Sequence, residues 1–213
     1  MADVPQQMDA TRSEASRLGG DALELDVSDP ESSLVCVESV VKRLGRLDIL
    51  VNNAGVAVRK PALELTPHDW DHVFSVNLRG AFFLAQAAGR VMVSQKSGRV
   101  VNVASIFGVV GAGDRAAYAS SKAGLVNLTR CLAIEWAPFN VQVNAVAPNF
   151  ASTPLTEQLL ADAHTREWII GRTPAGRLAR PDEVSRMIAF LAGTAPDFLT
   201  GVTVPVDGGW LAS

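Results

Sequence analysis

The sequence predicts an α/β protein built on a doubly wound parallel sheet. Short runs rich in β-forming residues alternate with longer amphipathic runs from residue 23 onward, and this order is typical of β-α-β units. The run LDILVNN (47–53) is apolar along most of its length, as expected of a strand that is covered on both faces. A chain of 213 residues, 48% of them hydrophobic, suits one domain with a substantial core.

Each element of this fold has a local signal. The predicted strands are residues 22–27, 47–53, 98–105, 141–148 and 201–209. The predicted helices are residues 5–20, 33–45, 66–92, 116–137 and 181–193. Gly45 is a typical residue at which a helix ends, and Thr66 followed by Pro67 is a typical helix start.

Composition and charge exclude several classes of protein. The formal net charge of -3 indicates no partner such as nucleic acid, and no apolar run approaches the about 18 residues that a membrane span requires. The first residues have neither the basic nor the apolar region of a signal peptide, so a cytoplasmic location is expected. Cys36 and Cys131 stand in apolar helical patterns without metal or redox spacing, and we expect both to be buried.

Polar and turn-forming residues follow the predicted strands at the edge where the ligand crevice of such a sheet lies. Residues 52–55 (NNAG), Ser105 and Pro148 each come at the end of a strand. Tyr118, the only tyrosine of the chain, lies beyond Ser105 on the next helix, four residues before Lys122. Since i and i+4 side chains are neighbours on a helix, the ammonium group is expected to lower the pKa of the phenol.

Six motifs occur in an order and at spacings that resemble one protein family. They are NNAG (52–55), VNLRG (76–80), VASIFG (103–108), YASSK (118–122), NAVAP (144–148) and VPVDGGW (204–210). On these motifs the chain is identified as a member of the short-chain dehydrogenase/reductase family, from about residue 22 to residue 210. The resemblance implies a Rossmann-like fold and an NAD(P)-dependent oxidoreductase that interconverts a secondary alcohol and a ketone.

The resemblance also implies roles for individual residues. Tyr118 is expected to act as general acid and base, with Lys122 stabilising its anion and Ser105 orienting the substrate oxygen. Asn77 is expected at a break in its helix, where it carries a water-mediated proton relay from the lysine. The expected cofactor is NAD or NADP, and the residues expected to bind it are Asp26, Val27, Asn53, Ala54, Gly55, Tyr118, Lys122, Pro148 and Thr153.

Two further patterns point to other chemistry, and both are rejected. His68 and His72 stand at i and i+4, but no third metal ligand approaches in sequence and their helix face is charged. Gly108, Gly111 and Gly113 form G-x-x-G-x-G, in an order reversed relative to the dinucleotide fingerprint and within the family's active-site loop. We therefore expect no metal site, and no phosphate loop at these glycines.

The start of the chain departs from the family pattern. No glycine precedes Gly19, so we expect an N-terminally truncated single domain over residues 1–213 that lacks the first β-α-β unit and its T-G-x-x-x-G-x-G loop. The strand at 22–27 is then expected to have no neighbour, the strand at 47–53 to expose an edge, and NADH or NADPH to bind weakly. Asn149 stands where the family usually has glycine, and asparagine tolerates a positive φ.

The segment at 150–177 is expected to form an irregular substrate lid. The residues expected to form the apolar wall of this lid are Phe150, Leu155, Trp168, Ile169 and Ile170. Arg59, Lys60 and Arg115 are candidates to hold a carboxylate, or else are solvated surface charges. Within the family the chain is most similar to members that act on sugar acids and polyols, and the 3-oxoacyl-carrier-protein reductases are the alternative.

A rival interpretation is a pseudoenzyme that binds no cofactor and only assembles with related subunits. The surfaces that form tetramers in the family are present, namely the helices at 66–92 and 115–137 and the C-terminal strand. The expected partners are therefore a small alcohol or ketone and further copies of this chain, in a homotetramer or homodimer.

Overall fold

In the computed structural model, which describes all 213 residues, every pair of neighbouring strands is parallel. The strands are β1 (Ala2–Asp3), β2 (Leu23–Glu24), β3 (Ile49–Asn52), β4 (Gly98–Val103), β5 (Val141–Pro148) and β6 (Thr203–Val206). The main sheet has the order β3–β4–β5–β6, and its four strands confirm the predicted ones to within three residues at either end.

The strands β1 and β2 form a separate two-stranded ribbon, which corrects one prediction. The strand predicted at 22–27 was expected to have no neighbour, but Leu23 and Glu24 pair with Ala2 and Asp3. A strand of two residues is too short to show a periodic pattern, so β1 could not be predicted from the sequence. The expected open edge of β3 is confirmed: no strand pairs with its outer side, and the side chain of Ile49 is 46% exposed.

Helices cover both faces of the main sheet. The helices of the chain are α1 (Met8–Arg17), α2 (Pro30–Leu44), α3 (Pro67–Phe74), α4 (Ala81–Gln95), α5 (Ala116–Trp136), α6 (Glu157–Ala161), α7 (Ala163–Arg172) and α8 (Pro181–Ala189). Met92 of α4 and Val100 of β4 share the largest core cluster, to which α2 and α5 also contribute. The next strand residue, Val101, packs with Leu191 after α8 in a second cluster. Because successive strand residues point to opposite faces, the sheet is doubly wound as predicted.

The helix predicted at 66–92 is interrupted. It begins as expected, since Thr66 and Asp69 form a reciprocal capping box with Pro67 in the first turn. At Ser75–Gly80 the helix changes to a π-helical segment before α4 continues. Such π-helical segments are rare in proteins, and those that occur often lie at functional sites. This segment contains Asn77.

The proposed lid segment is more regular than the sequence indicated. It contains α6 and α7, and α7 is anchored by Ile169, which is fully buried with Phe150 and Trp210. The apolar residues of α7 are three in a row, Trp168 to Ile170, so they show no helical period.

One cysteine also differs from expectation: Cys36 is buried, but Cys131 is exposed on α5. None of the helices is both long enough and apolar enough to cross a membrane.

Candidate active site

Buried amides join the carboxyl ends of β3 and β4 to α5. The Asn52 side chain donates to Asn102 Oδ1 at 2.9 Å, and the Asn102 side chain donates to Thr129 Oγ1 at 2.9 Å. Each of these polar groups is buried and has a partner, so the chain of hydrogen bonds fixes both strand ends against the helix. The loops that follow β3 and β4 therefore start from rigid positions.

Asn77 clamps the loop after β3 to the rest of the site. Its Oδ1 accepts from the Val56 N–H at 2.8 Å, and its Nδ2 donates to the Val56 carbonyl at 2.9 Å and to Ser121 Oγ at 3.1 Å. The side chain is 0% exposed. Both amide hydrogens are thus in use, and only one lone pair of Oδ1 remains free to accept a further bond.

Ser105 is placed by a short turn against α5. It precedes a 3-10 turn at Ile106–Gly108, and its Oγ accepts from the Phe107 N–H at 3.2 Å. A Cβ on Gly108 would lie 2.8 Å from the Lys122 carbonyl oxygen, closer than such atoms approach in proteins. The absence of a side chain at Gly108 therefore allows the Ser105 turn to reach the helix that carries Tyr118 and Lys122.

Lys122 is buried, and one of its ammonium hydrogens is in use. Its Nζ donates to the Val103 carbonyl at 2.8 Å, while the other two hydrogens have no partner in the protein. Burial lowers the pKa of Lys122 to about 8, because a charged ammonium loses its hydration there. The Nζ atom lies 5.9 Å from the centre of the Tyr118 ring.

The pKa of Tyr118 differs in direction from the expectation. Burial raises the pKa of Tyr118, and this effect exceeds the lowering by the Ser105 side chain, as a hydrogen-bond partner, and by the charge of Arg115. Lys122 is not among the groups that lower it, so the predicted effect of the lysine on the phenol is wrong for the protein alone. A phenol in this environment is protonated at neutral pH and can donate its proton.

Comparisons with known proteins place the chain in one family. A family model described as Enoyl-(Acyl carrier protein) reductase matches residues 1–211. The enzyme 2-dehydro-3-deoxy-D-gluconate 5-dehydrogenase of Dickeya dadantii (strain 3937) is 40% identical over 192 residues, which are 90% of this chain and 76% of that protein. The chain belongs to the short-chain dehydrogenase/reductase family. It is a nicotinamide-dependent oxidoreductase that interconverts a secondary alcohol and a ketone.

Two other members of the short-chain dehydrogenase/reductase family extend the comparison. A 3-oxoacyl-acyl-carrier-protein reductase of Thermotoga maritima is 40% identical over 206 residues, 96% of this chain and 83% of that protein. The crystal structure of a gluconate 5-dehydrogenase from Burkholderia cenocepacia J2315, in complex with NADP and tartrate, has a TM-score of 0.95 and 33% identity, and the match covers 100% of this chain and 85% of that one.

The residues of this dehydrogenase fit the nicotinamide and ribose end of the nucleotide. The two free hydrogens of Lys122 suit ribose hydroxyl groups. Gly55 leaves open the space beside them, since a Cβ there would lie 3.4 Å from Lys122 Nζ and 3.5 Å from Asn77 Oδ1. Asn53 and Ala54 are exposed at the same strand end. Lys122 and Gly55 thus lie side by side at the ends of β4 and β3, where a ribose and its nicotinamide ring would be held.

The structure places the other residues expected to bind the nucleotide near strand ends and in the lid segment. Pro148 ends β5, opposite Val206 of β6. Thr153 lies in the lid segment, with its hydroxyl 3.2 Å from that of Thr156. Asp26 is exposed after β2, and its carboxylate accepts from the backbone and the hydroxyl of Ser28.

Val27 and Asn149 are held by packing and hydrogen bonds that the sequence did not indicate. A side chain on Gly80 would overlap the Val27 carbonyl, so Val27 packs closely on the π-helical segment. The φ angle of Asn149 is not positive, so tolerance of a positive φ does not explain why asparagine stands here in place of glycine. Instead its side chain donates to the Asp207 carbonyl at 3.0 Å and to Thr173 Oγ1 at 3.3 Å, which connects the lid segment to the C-terminal loop.

Sequence reasoning missed the groups that support the site. The Val103 carbonyl that holds Lys122 and the backbone of Val56 carry no side-chain signal at all. Ser121, which bonds to Asn77, is 44 residues away from it in sequence. Gly108 was considered only for a phosphate loop, although its closeness to α5 is the feature that the fold requires.

The rejected candidates have structural explanations. The rings of His68 and His72 stack with centres 6.5 Å apart, and the structure contains no group of three His, Cys, Asp or Glu side chains placed to hold a metal. Asp69 is engaged in the capping box and with Lys60. Gly111 and Gly113 face open space.

Proposed function

We propose that this dehydrogenase acts on a sugar acid, at a secondary alcohol carbon or the corresponding ketone. The observation that carries the proposal is the meeting of Ser105, Tyr118, Lys122 and Asn77 at one edge of the sheet, with Gly55 beside Lys122 Nζ. The sugar-acid substrate is inferred from relatives named as 2-dehydro-3-deoxy-D-gluconate 5-dehydrogenase and gluconate 5-dehydrogenase. NAD or NADP serves as the cofactor.

Tyr118 transfers the proton in this proposal. The bound nicotinamide supplies or accepts the hydride at the substrate carbon. In the reduction, Tyr118 donates its proton to the substrate oxygen as negative charge develops there, and in the oxidation it takes that proton back. Ser105 donates a hydrogen bond to the same oxygen and keeps it near the phenol. This kind of acid–base catalysis contributes about 10²–10⁴ in rate.

Lys122 and Asn77 support Tyr118 in the proposal. The ammonium group of Lys122 holds the ribose hydroxyls with its two free hydrogens and favours the phenolate once the site is closed from water. Asn77 keeps the loop after β3 in place, and its remaining Oδ1 lone pair can accept one hydrogen from a water that continues a proton path. Its role is therefore mainly one of positioning.

Residues 150–177 form the substrate lid in this proposal. The buried aromatic cluster of Phe107, Phe150 and Trp210 lies under it, and Trp168 contacts Trp210 edge to face at 5.8 Å. Ile169 anchors α7 in the same cluster, whereas Leu155 is exposed and free to contact a ligand. A lid of this kind excludes water from the reacting atoms.

The oligomer is also part of the proposal. An open, mainly apolar groove runs between α3, the π-helical segment, α4 and α5, and its lining includes Trp70, Phe74, Leu78, Phe82, Leu128 and Cys131. We propose that this face, with the C-terminal strand, forms a homodimer or homotetramer, since such a groove is costly to leave in water. Sedimentation velocity should then give two or four copies per particle. A cytoplasmic location stays a prediction.

A substrate panel tests the function. Purified chain is assayed at millimolar NAD, NADP and their reduced forms with D-gluconate, 2-dehydro-3-deoxy-D-gluconate, D-glucitol and a 3-oxoacyl thioester. We expect turnover of at least one sugar acid. Turnover of the thioester alone favours the second candidate, a 3-oxoacyl-acyl-carrier-protein reductase, which the relative from Thermotoga maritima supports. No turnover of any compound favours the pseudoenzyme.

A further inference from the structure

Three cationic side chains lie near the site in sequence, and the structure gives each a different environment. Lys60 forms an ion pair with Asp69, with Nζ 2.7 Å from Oδ2, so its charge is already matched. Arg59 is exposed to solvent. Arg115 is partly buried at the residue before α5, three positions ahead of Tyr118. Of the three, only Arg115 is both withdrawn from water and without a matched anion.

Arg115 is held in place by two aromatic rings. Its guanidinium carbon lies 5.0 Å from the centre of the Phe107 ring and 5.5 Å from that of Phe150. Both rings are buried, and they meet edge to face at 5.6 Å. A guanidinium over an aromatic face is attracted by the ring and loses freedom of movement. The rings therefore fix the plane of the group before any ligand arrives.

The hydrogen-bond donors of Arg115 have no partner in the protein. No carboxylate lies within 4.0 Å of its nitrogens, and its side chain makes no hydrogen bond. An arginine presents five N–H donors in a flat fork that matches a carboxylate with two parallel bonds. The guanidinium is only partly buried, and none of its nitrogens is a buried atom without a partner, so its donors stay open to a ligand carboxylate.

Two neighbours set the charge around Arg115. Asp114 attracts its charge, whereas Arg59 repels it, and burial together with Arg59 lowers the pKa of Arg115. Arg59 comes close because the Lys60 N–H donates to the Asp114 carbonyl at 3.1 Å, which joins their two loops. Asp114 itself is exposed. The rim of the site thus carries an excess of positive charge that favours an anionic ligand.

We propose that Arg115 binds the carboxylate of the substrate and so selects hydroxy acids and oxo acids over neutral alcohols. This inference rests on the proposed function. Arg115 and Tyr118 pack on the same aromatic cluster and lie one helical turn apart. Side chains at this separation have Cβ atoms about 5–6 Å apart, which suits a carboxylate a few carbon atoms from the reacting carbon. A neutral alcohol offers the guanidinium no charge, and its fit to the fork is poorer.

Substitution of Arg115 tests the proposal by comparing one acid with one neutral analogue. Arg115→Met keeps the length and packing of the side chain but removes its charge and donors. We expect kcat/KM for D-gluconate to fall about 10- to 100-fold, chiefly through KM, while kcat/KM for D-glucitol changes less than about 3-fold. Arg115→Lys restores charge without the fork and should give an intermediate value. Equal losses for both substrates, or no loss for either, would overturn the proposal.

Binding is measured separately, so that a failure of the proposed function is distinguishable. Binding of D-gluconate and of D-glucitol is followed by calorimetry with the full chain, its Arg115→Met variant and Arg186→Met. Arg186 is a matched control because it lies on α8 in a surface ion pair with Asp182. We expect D-gluconate to bind more tightly than D-glucitol, and only Arg115→Met to remove the difference.

The two measurements separate two kinds of failure. Acid-selective binding that depends on Arg115, without turnover of any sugar acid, would contradict the proposed function and support the carboxylate site. Equal binding of the acid and the neutral analogue by the wild-type chain would overturn the carboxylate site, whatever the enzyme turns over.

Discussion

The carboxyl ends of β4 and β3 lie side by side in the sheet, but the protein holds their surroundings in different ways. Beside β4, Lys122 is buried and bonded to the Val103 carbonyl, and the Ser105 turn is pressed against α5. Beyond β3, Asn53 and Ala54 are exposed, and the outer edge of the strand has no partner. The proposed acid–base residues are therefore fixed by buried contacts before any ligand binds, whereas Asn53 and Ala54 beside β3 face water.

The largest effect is expected beside β4, where Tyr118 transfers the proton. Tyr118→Phe removes the hydroxyl and keeps the ring in the aromatic cluster. We expect kcat to fall about 10²- to 10⁴-fold, with nucleotide affinity and the unfolding midpoint almost unchanged. Steady-state kinetics at saturating nucleotide and a denaturant titration measure the two quantities. Full activity in this variant would show that another group supplies the proton.

The second largest effect is on the unfolding free energy, which we expect to depend on the buried Asn77 and not on the exposed Asn53. Asn77→Ala leaves the Val56 N–H and the Val56 carbonyl without their partner, and Ser121 Oγ keeps only the bond it donates to the Tyr118 carbonyl, which should cost about 2–4 kcal/mol of unfolding free energy. Asn53→Ala is the matched control on the exposed side and should change it by less than about 0.5 kcal/mol. Urea titrations of both variants give the comparison. Similar values for the two would mean that the clamp is not a stable part of the fold.

The parts that could be predicted are those with a local pattern. The strands of the main sheet each carry an apolar run, and the YASSK motif places Tyr118 and Lys122 one turn apart on one helix. The pairing of β1 with β2, the π-helical segment and the contacts of Asn77 depend on residues far apart in sequence. The pKa of Tyr118 likewise depends on how deeply the fold buries the ring and on which charges come near.

A smaller effect is expected from filling the space at Gly108. Gly108→Ala puts a methyl group against the Lys122 backbone, which must move, and we expect a loss of about 1–3 kcal/mol in unfolding free energy together with a lower kcat. Gly113→Ala is the matched control, because its added methyl meets open space and its φ is not in the left-handed region. The control should stay within about 0.5 kcal/mol of the wild type. A neutral Gly108→Ala variant would mean that the Ser105 turn can move away from α5 without cost.

The most gradual effect is the dependence of stability on pH that Lys122 introduces, because it is spread over about two pH units. Its pKa is about 8 in the folded protein and 10.5 in the unfolded chain, so between these values the unfolded state binds more protons. The unfolding free energy should therefore rise with pH from about 8 towards 10, by at most about 1.4 kcal/mol per pH unit, relative to a Lys122→Met variant. Above pH 10 the raised pKa of Tyr118 acts in the opposite direction, because the unfolded chain then loses the phenol proton first. Urea titrations of the two proteins at pH 7.5, 8.5 and 9.5 measure the slope. If the difference in unfolding free energy between the wild type and Lys122→Met stayed constant over this range, the ammonium would have its ordinary pKa. Water would then reach Lys122 inside the folded protein.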